Sequence, residues 1–353
     1  MERLIANWSG ESVISAFDPE SGSWLFIAIH DTTLGPAVGG CRMRAYPDPR
    51  DALRDAMRLA EGMTHKWASV GFALGGGKSV LAVPGALEAD SRRRLLRRFG
   101  RLVASLRGLY ACGPDLGTTP EDMAVIQEET DHVHGWDRER GEPLDPGPFT
   151  ALGVFVGIGA ALRRVFGSAE PATRTVLVQG VGDVGVPLAR MLASAGATVL
   201  LSDVVEGRAE ALAREIGAET VPSDAVYAAP SDVYAPCAVG ATLNAGTVPM
   251  LQCRIVAGSA NNQLDGSSDA ERLHQRGILY APDYVVNAGG AISLPMLRDG
   301  HTVEAVRARV ARIEHTLDEI FDEAAAADES PHRAAERRVR RVLERARRSR
   351  IGS

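Results

Sequence analysis

Aromatic residues make up only 5% of this chain, so its cores must rest on Ala, Val, Leu and Ile. The four cysteines, Cys41, Cys112, Cys237 and Cys253, are scattered and form no C-x-x-C pair. That excludes a Cys-rich zinc cage and a disulfide framework, leaves no metal expected, and fits small buried thiols kept reduced in a cytoplasm. The opening MERLIANWSG has no apolar core and no small-residue cleavage site, so no signal peptide is expected. No stretch reads as approaching the apolar length that spans a bilayer, and no membrane partner is expected. Positive charge is not in excess: the net charge is −6 and the pI about 5.8, which gives no reason to expect nucleic acid as partner.

What is present is globular. A chain of 353 residues with 45% hydrophobic and 24% charged residues suits two domains, each with its own core. In the first half, Trp24–Ile29, Ser79–Val83 and Leu109–Cys112 read as strands. Asp51–Lys66 carries apolar residues at helical spacing, Ser91 stands ready to cap an Arg-rich helix, and another helix follows from about Pro120 to Thr130. Gly135–Pro148, rich in Gly, Pro and charge, is the best linker candidate. Beyond it, Thr150 is placed to cap a helix. Then Thr175–Gln179, Thr198–Ser202, Val233–Ala235, Arg254–Ala257 and Tyr284–Val286 read as short strands separated by helices, the alternation of a parallel sheet. From Val303 to Arg348 the chain reads as helical. Its Arg-rich run from Arg333 is a solvated or subunit-facing surface in so acidic a chain, in preference to a nucleic-acid patch.

The strand TVLVQ runs directly into Gly180-Val181-Gly182-Asp183-Val184-Gly185, and a helix follows. Two glycines allow a sharp turn and close approach to a pyrophosphate, a third allows close helix–strand packing, and the helix N-terminus favours the anion. The next strand ends in Asp203, an acid placed to accept hydrogen bonds from the adenosine ribose and to repel a 2′-phosphate; this selects NAD over NADP. In the first half, Lys66, Gly75-Gly76-Gly77-Lys78 and Gly113-Pro114-Asp115 each stand at the end of an element. Two lysines and an acid converging on one site could anchor and deprotonate a substrate. The glycine run would let that substrate approach Lys78, and a second cation nearby would make this lysine usable as a base.

The blocks LGPAVGGCRM, GMTHK, GGGKSV, GPDLGT, GVGDVG, YAPCAVG, AGSANNQL and APDYVVNAGG, in that order from about Trp24 to Leu294, resemble the leucine/phenylalanine/valine branch of the Glu/Leu/Phe/Val amino-acid dehydrogenases. The resemblance implies an N-terminal α/β substrate domain (residues 1–145, completed by C-terminal helices from about 321 to 353), a Rossmann-type dinucleotide domain (150–320), and a cleft between them. It implies that Lys66 pairs with the substrate carboxylate, that Lys78 activates the attacking water, and that Asp115 shuttles protons at the substrate nitrogen. Gly39, Gly40, Gly113, Asn262 and Ala291 would contact substrate. Thr150, Gly180, Gly182, Asp183, Val184, Gly185, Asp203, Asn262 and Asn287 would hold NAD. The implied reaction converts a hydrophobic L-amino acid to its 2-oxo acid and ammonia, carried out by a homo-oligomer. His65 and Trp67, flanking Lys66, depart from the Tyr and the smaller residue usual in relatives. Gly113 and Ala291 stand where leucine-type relatives carry Ala and Val, and so resemble the phenylalanine-type branch. An aliphatic pocket refilled by Trp67 or Met63, as in a leucine or valine dehydrogenase, and a non-catalytic NAD-binding regulator are the alternatives.

Overall fold

The computed structural model describes residues 1–351, which divide into two compact units: Met1–Asp145 with the chain from Val339 onward, and Pro146–Arg338.

In the first unit the order is α1 (Glu2–Ala6), β1 (Ser12–Asp18), β2 (Ser23–Asp31), β3 (Ala37–Arg44), α2 (Pro49–Val70), β4 (Gly75–Ala82), α3 (Ala89–Ser105), β5 (Tyr110–Pro114), α4 (Pro120–Gln127) and a small hairpin of β6 (Trp136–Asp137) and β7 (Glu142–Pro143). The hairpin occupies the segment read as a linker. The sheet order is β1-β2-β4-β3-β5. The first two pairings are antiparallel, whereas β4–β3 and β3–β5 are parallel. Every residue of β4 is buried, as a strand covered on both faces requires.

Local chemistry sets the helix ends. Asp48 accepts the Arg50 N–H ahead of Pro49 to start α2, and Gly71, with φ 66°, ends it. Thr119 and Asp122 form a reciprocal capping box on α4. Ser91 does not cap α3: that helix starts at Ala89, and the Ser91 hydroxyl instead accepts from Arg94. The arginines of α3 are paired outward: Arg92 with Asp122, Arg93 and Arg97 with Glu128, Arg98 with Asp18, and Arg101 with Glu129.

The second unit contains α5 (Gly147–Phe166), β8 (Thr175–Gln179), α6 (Gly185–Ser194), β9 (Thr198–Ser202), α7 (Arg208–Ile216), β10 (Glu219–Thr220), β11 (Val233–Pro236), β12 (Ile255–Val256), α8 (Ser267–Gln275), β13 (Leu279–Tyr280), α9 (Asp283–Val286), α10 (Gly289–Arg298), α11 (Val303–Ala311), α12 (Ile313–Ala327) and α13 (Pro331–Ile351), which ends in the first unit. Its strands are all parallel in the order β10-β9-β8-β11-β12-β13, the doubly wound arrangement of a Rossmann domain.

Four expectations are corrected. Tyr284–Val286 is helical: the Val286 N–H donates to the Pro282 carbonyl and the Asn287 N–H to the Asp283 carbonyl, and the Asp283 carboxylate ties the turn to the Gln263 N–H. Thr150 lies inside the first turn of α5, donating to the Pro146 carbonyl, and is not its cap. The chain rejoins the first unit at Val339 rather than near residue 321. The 20-residue α5 is apolar and long enough to cross a bilayer, contrary to the sequence reading. It is a core helix, however: Val154, Ile158, Ala161 and Leu162 are buried, and a Cβ on Gly157 would overlap Val286. The Arg-rich helix α13 is tethered by ion pairs, Arg338 with Glu323 in the second unit and Arg347 with Asp31 in the first.

The run Gly75–Gly77 serves packing. A Cβ on Gly75 would meet Asp31 and Gly35 carbonyls, one on Gly76 would overlap Thr64 of α2, and one on Gly77 would lie 2.7 Å from the Tyr110 ring. These glycines let α2 and Tyr110 press onto β4, and they do not open a path for substrate. Gly76→Ala is expected to destabilise the protein by roughly 2 kcal/mol or more, since both side chain and backbone of α2 must shift; a urea unfolding curve checks this.

Candidate active site

The parallel register of β4, β3 and β5 lays three rows side by side. Cys41 opposes Ser79 on one flank, and Gly40 opposes Gly113 on the other. Lys78 on β4 therefore projects beside Gly40, and the chain leaving β5 brings Asp115 to the same place. Lys78 Nζ lies 3.1 Å from Asp115 Oδ1. A Cβ on Gly40 would stand 2.7 Å from Asp115 Cβ and 2.9 Å from Lys78 Nζ. Position 40 thus has to be glycine for the pair to form. Asp115 is fixed through its backbone as well: its N–H donates to Thr118 Oγ1, and that hydroxyl donates to the Cys41 carbonyl at 2.7 Å.

The ion-pair partner of Lys78 is the Asp115 carboxylate, and a guanidinium stands on that acid's far side. Arg42 Nε donates to Asp115 Oδ2 at 2.9 Å, and its Nη1 donates to Asp55 Oδ2 at 2.8 Å. Tyr46 Oη donates to the same Asp55 oxygen at 2.6 Å, and Arg58 reaches Oδ1. Sequence reasoning missed Arg42, Asp55 and Tyr46. The signal available was an Arg immediately after the GGC segment, but its partner Asp115 is 73 positions away.

These contacts set the charges. Burial alone would push the Asp115 carboxyl up; the Lys78 ammonium and then the Arg42 guanidinium outweigh it and hold it below the usual carboxylate range. Burial likewise pushes Asp55 up, and the Tyr46 hydroxyl and Arg42 bring it below its ordinary value. The Cys41 thiol behind them is pushed up to about 12 by burial, so it is a neutral filler and not a nucleophile.

Lys66 lies buried in the last turns of α2, three residues after Met63, whose Cγ would be 3.3 Å from a Cβ on Gly39. Trp67 is a core residue, 1% exposed, with its indole N–H donating to the Val38 carbonyl and its ring against Phe72. His65 is half-buried.

In the second unit Gly180 follows β8 with φ 96°, and a Cβ on Gly185 would overlap the Gly180 carbonyl, so both glycines are required by the turn itself. Gly182 differs: a Cβ there would meet nothing within 4 Å. Gly182 and Asp183 are exposed and Val184 is half-buried at the N-terminus of α6. Asp203 Oδ2 accepts the Val181 N–H at 2.7 Å and Oδ1 the Val205 N–H at 2.8 Å, which fixes its carboxylate beside the glycine turn. Asn262 is held at φ 50°, its carbonyl accepting the Ala241 N–H. Asn287 Nδ2 donates to the Ser259 carbonyl and Asn261 Oδ1, while its own buried Oδ1 has no hydrogen-bond partner. Ala291 is half-buried on α10, and Thr150 packs where a Cβ on Gly290 would fall. An open glycine at a helix N-terminus, an anchored strand-end acid and an orphaned buried amide oxygen fit a dinucleotide. Among the described residues no group of three or more His, Cys, Asp or Glu is arranged to hold a metal.

Residues 23–132 match the model of the Glu/Leu/Phe/Val dehydrogenase dimerisation domain, and residues 200–347 that of glutamate/leucine/phenylalanine/valine dehydrogenase. The chain is 40% identical to a leucine dehydrogenase of Bacillus subtilis (strain 168), over 99% of this chain and 95% of that one. It is also 40% identical to a phenylalanine dehydrogenase of Lysinibacillus sphaericus, over 95% and 88% respectively. The crystal structure of L-tryptophan dehydrogenase from Nostoc punctiforme superposes with a TM-score of 0.83 at 37% identity, covering 99% of this chain and all of that one.

A carboxyl held below its unfolded value stabilises the fold above the ordinary carboxylate range, and that contribution is lost as pH falls through the folded value. Near pH 7 the unmodified protein should exceed Asp115→Asn by about 2 kcal/mol in urea unfolding, and the gap should narrow as pH falls below about 4. A gap independent of pH would contradict the ionised state of Asp115.

Proposed function

The chain belongs to the Glu/Leu/Phe/Val dehydrogenase family and is an NAD-dependent dehydrogenase acting on the CH–NH2 group of amino acids; from that premise we propose that it oxidatively deaminates a large hydrophobic L-amino acid, phenylalanine-like ahead of valine. The observation that carries the chemistry is the Lys78–Asp115 pair at 3.1 Å, which the absence of a side chain at position 40 allows to form.

In this reading Lys66 fixes the substrate carboxylate. The Asp115 carboxylate, held ionised, accepts a proton from the substrate ammonium, because the amine must be neutral before the Cα–H bond can break. NAD, held by the glycine turn, Asp203, Asn262 and Asn287, supplies the acceptor for the Cα hydride. Lys78, having given up its ammonium proton to solvent when substrate binds, takes a proton from the water that attacks the imino carbon; Asp115 then returns its proton to the carbinolamine nitrogen, and ammonia leaves as the hydroxyl proton is lost to solvent and the C=O bond forms. Asp203 accepts hydrogen bonds from the ribose hydroxyls, and its charge disfavours a 2′-phosphate.

The substrate side chain is assigned by what the pocket positions lack. Neither Gly113 nor Ala291, which the resemblance gives to substrate, brings a cation to receive an acidic side chain, and each is smaller than the residue of leucine-type relatives, which favours a large apolar one. Trp67 is buried with its indole N–H on the Val38 carbonyl, which speaks against its turning to refill the space at those positions. Met63 borders Gly39, and a Met63 turned inward would favour leucine. A methyl-sized difference is worth about 1–3 kcal/mol, so activity on phenylalanine and leucine should overlap. The description of the first unit's family as a dimerisation domain supports a homo-oligomer.

Three outcomes test the reading. Lys78→Ala should lower kcat by roughly a thousandfold with NADH binding retained, and near-normal turnover would sink the mechanism. Gly182→Ala should leave urea stability unchanged while weakening NADH binding several-fold, unlike the packing glycine at position 76. In a panel of L-amino acids with NAD⁺, followed by NADH absorbance, hydrophobic residues should be oxidised and glutamate should not. Strong preference for valine would overturn the pocket assignment.

A further inference from the structure

We propose that Arg42 is a positioning residue for the reaction: it holds Asp115 Oδ2 so that Oδ1 alone faces Lys78 and the substrate nitrogen. The inference rests on Asp115 being the proton acceptor in the proposed deamination.

The geometry is one-sided. Arg42 spends Nε on Asp115 and Nη1 on Asp55, so the guanidinium plane is gripped from both sides. Asp55 is itself fixed by Tyr46 and Arg58, and it stands on α2 whereas Asp115 follows β5. Lys78, Asp115, Arg42 and Asp55 therefore form a chain of alternating charge, with side chains 6%, 16%, 13% and 13% exposed. A carboxylate with one free oxygen would rotate and divide its time between partners. One oxygen bonded to a rigid, permanently charged fork leaves the other at a defined place. Among the groups facing Asp115 are Lys78 from β4, Arg42 and the neutral Cys41 from β3, and the neutral Tyr110 from β5. Arg42 is thus the cation that remains beside Asp115 when Lys78 gives up its proton in the reaction. It keeps the carboxylate anionic and receptive while the lysine cycles. A purely structural tie between β3 and α2 would need the Asp55 contact but not the one to Asp115.

The test compares the unmodified protein, Arg42→Met, Arg42→Lys and Asp115→Asn. The side-chain carboxyl of Asp115 is followed by ¹³C NMR in Asp-labelled protein, its resonance being the one missing from Asp115→Asn. Removing the guanidinium should raise the Asp115 titration midpoint by about one pH unit or more, as loss of an opposite charge at this distance does. It should also lower kcat by roughly tenfold or more, with NADH affinity unchanged. Arg42→Lys should recover the midpoint and part of kcat, since it restores the charge without the fork. An unmoved midpoint would overturn the proposal even if activity fell, because that is what a structural strut gives. A moved midpoint with normal kcat would overturn it as well. Should Arg42→Met fail to fold, Arg42→Lys carries the same test through kcat: full activity without the fork would contradict positioning. Near-normal turnover of Asp115→Asn would instead refute the proton-acceptor reading, and so separates that failure from this one.

Discussion

The site in the first unit depends on one buried carboxylate shared between two cations. Asp115 cannot sit where it does as an isolated charge; Lys78 and Arg42 neutralise it from opposite oxygens, and each of these needs it in turn. The requirement is met by topology. Strand β3 lies between β4 and β5, all three run parallel, and register places position 40 between Lys78 and Gly113. Arg42, two residues beyond, then falls level with the chain leaving β5. That layout gives an ionised carboxylate, a lysine beside it, and glycine backbone packed against both.

Glycine does two separate jobs in this chain, and the difference decides which glycines touch ligand. At Gly76, Gly77 and Gly185 the missing Cβ is space already filled by the protein's own atoms. Such glycines let a helix or a ring pack against a strand, and their replacement is a stability problem. At Gly182 the missing Cβ is open space, whereas at Gly40 it is space taken by the Asp115 and Lys78 side chains themselves. The former leaves its backbone open to a ligand, and the latter lets the lysine and the acid meet.

Much of this was legible in the sequence, for reasons that differ from element to element. Strands β8 and β9, the glycine turn and Asp203 are contiguous in the chain, so strand, turn, helix and strand-end acid could be read in order. Lys78 and Asp115 were legible as members of glycine-marked blocks. Arg42 and Asp55 were not, because their meaning lies in pairings across strands and onto α2 that no local pattern records. Val285 and Val286 are β-branched and suggested a strand, yet backbone hydrogen bonds to the Pro282 and Asp283 carbonyls close a turn and tertiary contacts decide the matter. The apolar helix α5 illustrates the converse: its residues have membrane-like composition, but Gly153, Gly157, Val154 and Ile158 face the second unit's own core.

The central claim is that Lys78 and Asp115 act as one proton-handling unit. A double-mutant cycle on kcat/KM tests it most directly, using Lys78→Ala, Asp115→Asn and the pair together under saturating NAD⁺. Groups that act together lose their joint contribution once, so the double variant should be about as impaired as the worse single variant. Losses that simply multiply would show two independent residues and would contradict the account.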